Sequence, residues 1–478
     1  MVFSSAIFLF VFLPAFLGLY YLTPNKYKSI IILIGSYIFY GWWRLDFLAL
    51  LALVTLGNHF CAKVIVQYEG QRVGRRFMQA GVISNLLVLG VFKYFNFGVD
   101  SLNMVFESSG LNTFESLRFI LPIGISFYIF QSISFLIDVY RGDAPPAKRF
   151  VDFASFISLF PQLIAGPVLR YKDLADQFEK REHSLDNFSE GATRFMAGFA
   201  KKVLIADTVA PLADAMFALD DPTMAEAWLG AIAYTVQLYF DFSGYSDMAI
   251  GIGLMMGFRF IENFNLPYIS RSITEFWRRW HISLSTWLRD YLYIPMGGNR
   301  KGKIRTYFNL FMTMVLGGLW HGANWTFVIW GAWHGAIMAI ERALGIKGGT
   351  NETVQIPARI MRTILTFILV IIGWVMFRAE NVTSAFAMYE GMLGLNGFEL
   401  TDRTIWQIKG LHICALLIGL FVIFIGPLLH YRSRINLSEA QLAHKHVIAT
   451  QVAVSLLFIL AVSRLLAQSY SPFLYFQF

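Results

Sequence analysis

Two Trp-His-Gly triplets, Trp320-His321-Gly322 and Trp333-His334-Gly335, stand inside the apolar stretch LGGLWHGANWTFVIWGAWHG. A third histidine, His281, lies upstream in the basic stretch RSITEFWRRWHISLSTWLRDYLYIPMGGNRKGKIR. Imidazole has an ordinary pKa of about 6.5, so a neutral ring accepts a proton from a hydroxyl near neutral pH, the step that acyl transfer to an alcohol requires. Counted from Arg305 as a helix, His321 lies about 24 Å along, deep in a hydrocarbon core of about 30 Å. Gly322, Ala323 and Asn324 then break the apolar pattern. A histidine at that depth is either a structural ring bonded to a carbonyl or a functional group, and His334, mid-span beside Trp333, leans to the structural side. In the basic stretch, helical spacing places Phe276, Trp280, Leu284, Trp287 and Tyr291 on one face. Arg278, His281, Ser285 and Arg289 fall on the other, which suits either a polar opening or lipid phosphates. Asp241 and Asp247, in YFDFSGYSDMAIGIG, fit a proton relay or buried ion pairs equally well.

The elements that must hold these residues are membrane helices. Of 478 residues, 56% are hydrophobic and 15% charged, and the mean hydropathy is +0.54. That balance excludes a soluble, secreted, fibrous or disordered protein and predicts an all-α, polytopic integral membrane protein of about 11 or 12 crossings. The 39 Lys+Arg against 31 Asp+Glu cluster in short loops, so the +8 charge reflects the positive-inside bias and no nucleic-acid partner is expected. Lys26 and Lys28, Arg72 to Arg76, Arg141 to Arg149 and Arg271 to Arg305 mark cytoplasmic loops. The stretches Asp100 to Ser116 and Asp220 to Glu226 mark outer ones. The first 22 residues lack a basic start and a cleavage site, and read as a retained first span with its N-terminus outside. Phe153 to Leu169, interrupted by Pro161, Gly166 and Pro167, reads as re-entrant. Cys61 and Cys414 have no metal-ligand spacing around them and read as small buried hydrophobes; no metal is expected. With no linker or repeat, residues 1–478 form one membrane domain.

FWRRWHISLSTWLRDYLYIPMGG followed by LGGLWHGANWTFVIWGAWHG resembles the membrane-bound O-acyltransferase family, specifically its bacterial branch. The opening MVFSSAIFLFVFLPAFLGLYYL, the central SFYIFQSISFLIDVYRG and PQLIAGPVLRY, and YFDFSGYSDMAIGIG look like that branch's alginate-acetylation subgroup. The resemblance implies a ring of helices around a central funnel, with His321 as the essential histidine and His281 as the second. It also implies a multi-pass bacterial inner-membrane protein that passes an acetyl group from a cytoplasmic donor, acetyl-CoA or another activated acetyl compound, across the membrane. Arg278, Arg289, Ser285, Asn324 and Trp320 are the donor- and substrate-binding candidates, with Arg271 a further phosphate partner. Membrane lipids aside, the implied partners are a periplasmic SGNH-type acetyltransferase and other polysaccharide-modification proteins, and no cofactor is tightly bound. Cellulose, peptidoglycan and teichoic acid are rival polymers. A transporter or flippase is the rival class, because broken helices with midplane polar residues also mark transporters, and a scaffold for a polysaccharide export complex is a third reading.

Overall fold

A computed structural model describes residues 1–346, 348, 355–426 and 439–467, the side chains of 439–447 excepted. Among the described residues every regular element is helical. Leu45–Gln67, Arg72–Ser108, Ile356–Arg378 and Ile448–Ala467 are long and apolar enough to cross a membrane on their own, and Phe8–Leu22 and Gly410–Phe424 are shorter apolar helices. Their large side chains are widely exposed, as at Ile83, Leu86, Leu87, Leu456 and Leu460, the surface that lipid would cover. The remaining elements read as spans are shorter, interrupted or carry charge paired inside the protein. The part of the predicted 409–429 span beyond residue 426 lies outside the described residues.

The chain divides into two compact units, one of Met1–Ala192 with Ala249–Ile261, the other of Thr193–Met248 with Glu262–Phe478. In the first, the broken segment is a pair of short helices, Phe150–Ile157 and Phe160–Leu163, followed by non-helical backbone. Residues 152–169 are buried throughout, which is where freed backbone is tolerated in a membrane protein. Two loop boundaries move. Asp100 continues the preceding helix as far as Ser108, and the next helix begins only at Ile125, after Pro122 and a left-handed Gly124 with φ 74°. The cysteines also differ from expectation: Cys61 is only half-buried, beside Gly81 of the neighbouring helix, and Cys414 is exposed.

The second unit is built on an aromatic core containing Tyr268, Phe276, Trp277, Trp280, Trp330, Trp374 and Phe377. Helix Lys303–His321 and helix Trp325–Ala343 form a hairpin across the short connection at Gly322 and Asn324. Their backbones approach so closely that a Cβ on Gly318 would overlap the Phe327 carbonyl, and one on Gly331 the Met314 carbonyl. Glycine at these two positions therefore sets the helix spacing, and with it the place of His321.

Candidate functional site

The basic stretch is not one helix. It begins as helix Ile273–Arg279, whose N-terminus is held twice. The Ser272 hydroxyl accepts from the Glu275 amide at 3.0 Å. The Glu341 carboxylate accepts from the Ile273 and Thr274 amides at 2.6 and 2.9 Å and from the Thr274 hydroxyl at 2.7 Å, an anion where the helix dipole favours one. The helix stops at Trp280, and His281 takes a left-handed conformation, φ 44° and ψ 54°, before helix Ile282–Leu288. For a residue with a Cβ that conformation costs about 1–2 kcal/mol, so the surroundings must hold it.

They do so through Asn263, which is 1% exposed. Its backbone carbonyl accepts from the Ile282 amide at 3.0 Å, and the neighbouring Asn265 amide donates to the Arg279 carbonyl at 2.9 Å. Its side-chain Oδ1 accepts from the Ser283 hydroxyl at 2.8 Å and the Ser283 amide at 3.3 Å, and lies 3.1 Å from His281 Nδ1. Asn263 Nδ2 donates to the Ser246 hydroxyl at 3.1 Å, which fixes the amide orientation. With an acceptor facing it, His281 Nδ1 carries the proton, and Nε2 is the basic nitrogen of the neutral ring.

This turn overturns the helical-face reading. His281 does not share a basic face with Arg278 and Arg289: it is fully buried, its ring 4.7 Å from Phe242, 6.1 Å from Trp320 and 6.3 Å from His321. The left-handed step at 281 turns the chain, and a 3.6-residue wheel cannot represent such a break. His321 closes the last turn of its helix and is only partly buried. Its ring is bracketed by Trp320 at 5.0 Å, Trp330 at 5.2 Å and Phe377 at 5.4 Å. His281 and His321, 40 residues apart in sequence, are thus neighbours. His334 stands apart in an aromatic box, 5.1 Å from Trp330, 5.5 Å from Trp277 and 6.2 Å from Phe276. Neither of its ring nitrogens has a hydrogen-bond partner among the described residues.

The other candidates separate by their place along the 303–321 helix. At its start, a cleft of about 770 Å³ is lined by Arg278, Asn299, Lys303, Thr306, Leu310 and Arg342 among others. Arg278 is exposed there and donates to the Gly348 carbonyl at 2.8 Å. Arg271 does not line this cleft, because Glu275 takes both it and Arg279, at 3.3 and 2.8 Å. Arg289 is exposed and paired with Asp290 at 2.7 Å, and the Ser285 hydroxyl lies 3.4 Å from the Trp280 carbonyl. At the far end, beyond His321, a second cleft of about 300 Å³ is lined by Asn324, Thr326, Phe327, Phe377, Arg378 and Glu380. Asn324 caps helix 325–343 by accepting from the Thr326 amide at 3.1 Å, and donates to the Glu380 carbonyl at 3.0 Å. Asn324 therefore lies at the opposite end of the helix from Arg278. Asp241 and Asp247 are committed to ion pairs. Asp241 meets Lys202 at 2.7 Å, and Asp247 meets Lys201 at 2.6 Å and Arg194 at 3.0 Å. Among the described residues no group of three His, Cys, Asp or Glu is placed to hold a metal ion.

The residues missed from sequence are Asn263, Ser283 and Glu341. Asn263 and Glu341 act across long sequence separations, and the available signal was only that a buried amide and a buried carboxylate need partners.

The membrane-bound O-acyltransferase family model matches residues 34–386. Over its full length the chain is 55% identical to the probable alginate O-acetylase AlgI of Azotobacter vinelandii and 56% identical to that of Pseudomonas putida, covering 100% of each. It is also 38% identical to the peptidoglycan O-acetyltransferase of Helicobacter pylori, over 84% of this chain and 81% of that protein.

Proposed function

Because the chain belongs to the membrane-bound O-acyltransferase family, we propose that this O-acyltransferase moves acetyl groups from a cytoplasmic donor across the bacterial inner membrane for the O-acetylation of alginate. The names of the relatives that match it end to end support the polymer and the acetyl group. The observation that carries the mechanism is the His281–His321 pair, with a basic cleft at one end of the 303–321 helix and a small cleft at the other.

The basic cleft suits acetyl-CoA or another activated acetyl donor, with Arg278, Lys303 and Arg342 available to its phosphates. The helix is 19 residues, so its ends are about 28 Å apart. The cleft lining already reaches Leu310, which leaves about 16 Å of helix for an extended thioester arm to pass before His321. In the transfer, the acceptor hydroxyl oxygen bonds to the acetyl carbonyl carbon. Its proton passes to the basic nitrogen of His321, the carbon–sulfur bond breaks, and the thiolate recovers that proton. His281, fixed by Asn263, stands beside that ring as a hydrogen-bonding group of defined orientation. A cleft of about 300 Å³ admits a protein side chain or a single sugar more readily than a polymer strand. That favours handing the acetyl group to a periplasmic SGNH-type acetyltransferase, which then modifies the polysaccharide. The basic loops at Lys26, Arg75, Arg141 and Lys301 support a cytoplasmic side there and an N-terminus outside.

The test supplies labelled acetyl donor to one face of membranes holding the protein and reads label on the acceptor at the other. His321→Ala should lose at least about 99% of transfer, since a general base contributes about 10²–10⁴ in rate. Retention of more than about a tenth at unchanged protein level would make His321 structural and sink the mechanism.

A further inference from the structure

In the first unit, a cleft of about 440 Å³ is lined by six cationic side chains, Lys26, Lys28, Lys148, Arg149, Lys180 and Arg181, against two carboxylates. Both carboxylates are already taken, Asp152 by Arg149 at 2.8 Å and Glu179 by Lys148 at 2.8 Å. Lys28 is only 5% exposed, and its ammonium lies 3.3 Å from His183 Nε2 and over the rings of Tyr20 and Tyr21, at 4.7 and 5.3 Å from their centroids. Arg181 donates to the Ser29 hydroxyl at 2.8 Å and the Tyr20 hydroxyl at 3.3 Å, and its guanidinium stacks over Phe258 at 5.2 Å. The Tyr20 hydroxyl donates in turn to the Met256 carbonyl at 2.6 Å, so it is held in place to receive Arg181. Neither Lys28 nor Arg181 has a carboxylate partner among the described residues. The His183 imidazole is pushed down from its ordinary pKa, first by burial and then by Lys28 and Arg181.

Two cations oriented by aromatic and hydroxyl groups, with no anion to balance them, are an arrangement that a ligand completes. The surplus is several charges, and the donors converge from the 28–41 helix and the 180–183 segment, so a multiply charged tetrahedral anion fits better than a single carboxylate. We propose that this cleft is a phosphate-binding site, which takes the phosphate ester of a soluble ligand or of an anionic lipid headgroup. None of its residues belongs to the transferase site, so the assignment stands apart from the proposed function.

The test uses the full-length protein in detergent and in nanodiscs. Inorganic pyrophosphate, against chloride at matched ionic strength, reads a soluble source through Tm. Phosphatidylglycerol against phosphatidylcholine nanodiscs, followed by native mass spectrometry of retained lipid, reads a membrane source. The wild type should respond to at least one probe. Lys28→Met and the exposed rim variant Lys180→Gln should each raise the half-saturating pyrophosphate concentration at least tenfold, or lose the retained phosphatidylglycerol. Should Lys28→Met not fold, Lys180→Gln gives the same reading on the rim. A wild type indifferent to both probes, or variants that respond as it does, would overturn the site.

Discussion

Asn263→Leu keeps the size of the side chain and removes the acceptor that orients His281. In the native turn, Asn263 Oδ1 receives three donors: His281 Nδ1, the Ser283 hydroxyl and the Ser283 amide. A buried donor left without a partner costs about 1–3 kcal/mol, and the serine hydroxyl alone can rotate to another acceptor. Losing the Asn263 acceptor therefore destabilises the site by about 1–3 kcal/mol for each donor that finds no new partner, the Ser283 hydroxyl, 3.4 Å from His281 Nδ1, being the nearest replacement for the histidine. Part of that is relieved when the left-handed step at His281, itself strained by about 1–2 kcal/mol, relaxes. Relaxation moves the ring away from His321. If only the histidine's own bond counts against the transfer step, at about 1–3 kcal/mol, turnover falls about 5- to 150-fold, since 1.4 kcal/mol is tenfold. The measurement is initial rate of acetyl transfer in membranes, with protein level and size-exclusion profile as fold controls and Asn263→Asp as the variant that keeps an acceptor. The expected order is wild type, then Asn263→Asp, then Asn263→Leu. Asn263→Leu within about twofold of wild type, while His281→Ala is inactive, would show that the ring needs no orienting partner.

Arg278→Ala should raise the donor KM about 10- to 100-fold with kcat little changed, because a charge-assisted contact in the basic cleft contributes about 1.5–3 kcal/mol. Arg271→Ala, whose charge Glu275 already uses, should leave KM alone; equal effects of the two would refute the distinction. Gly331→Val should deplete folded protein in the membrane, since its side chain overlaps the Met314 carbonyl and overpacking costs about 1–3 kcal/mol. A Gly331→Val protein with wild-type yield and melting would remove the close approach from the argument. For sidedness, single cysteines at Lys301 and Asp221, in a background lacking Cys61 and Cys414, should be labelled by an impermeant reagent from the inside and the outside respectively. Labelling of Lys301→Cys in intact cells reverses the direction of transfer.

Sequence alone determined the class of molecule and the residues worth testing. The hydropathy of long runs does not depend on what they pack against, so the membrane assignment and the all-helical build were legible before any contact was known. His321 stood out for the same reason: a polar ring beside a glycine break in an apolar run is expensive wherever the helix goes. The buried, broken segment after residue 150 was likewise written in Pro161, Gly166 and Pro167. What only the tertiary structure decided is which side chains meet. Periodicity extends a helix through His281, yet the backbone turns left-handed there because Asn263, 18 residues upstream and without a local signal, supplies the bonds that hold the turn. Asp241 and Asp247 become ion pairs rather than a relay because Lys202, Lys201 and Arg194 come to them across a helix packing. Arg271 and Arg278, alike in the basic stretch, part company because Glu275 neutralises one while the other opens onto a cleft. Local propensity and burial cost are properties of a residue and its neighbours in the chain, whereas charge pairing and ring orientation are properties of distances that exist only once the chain has folded.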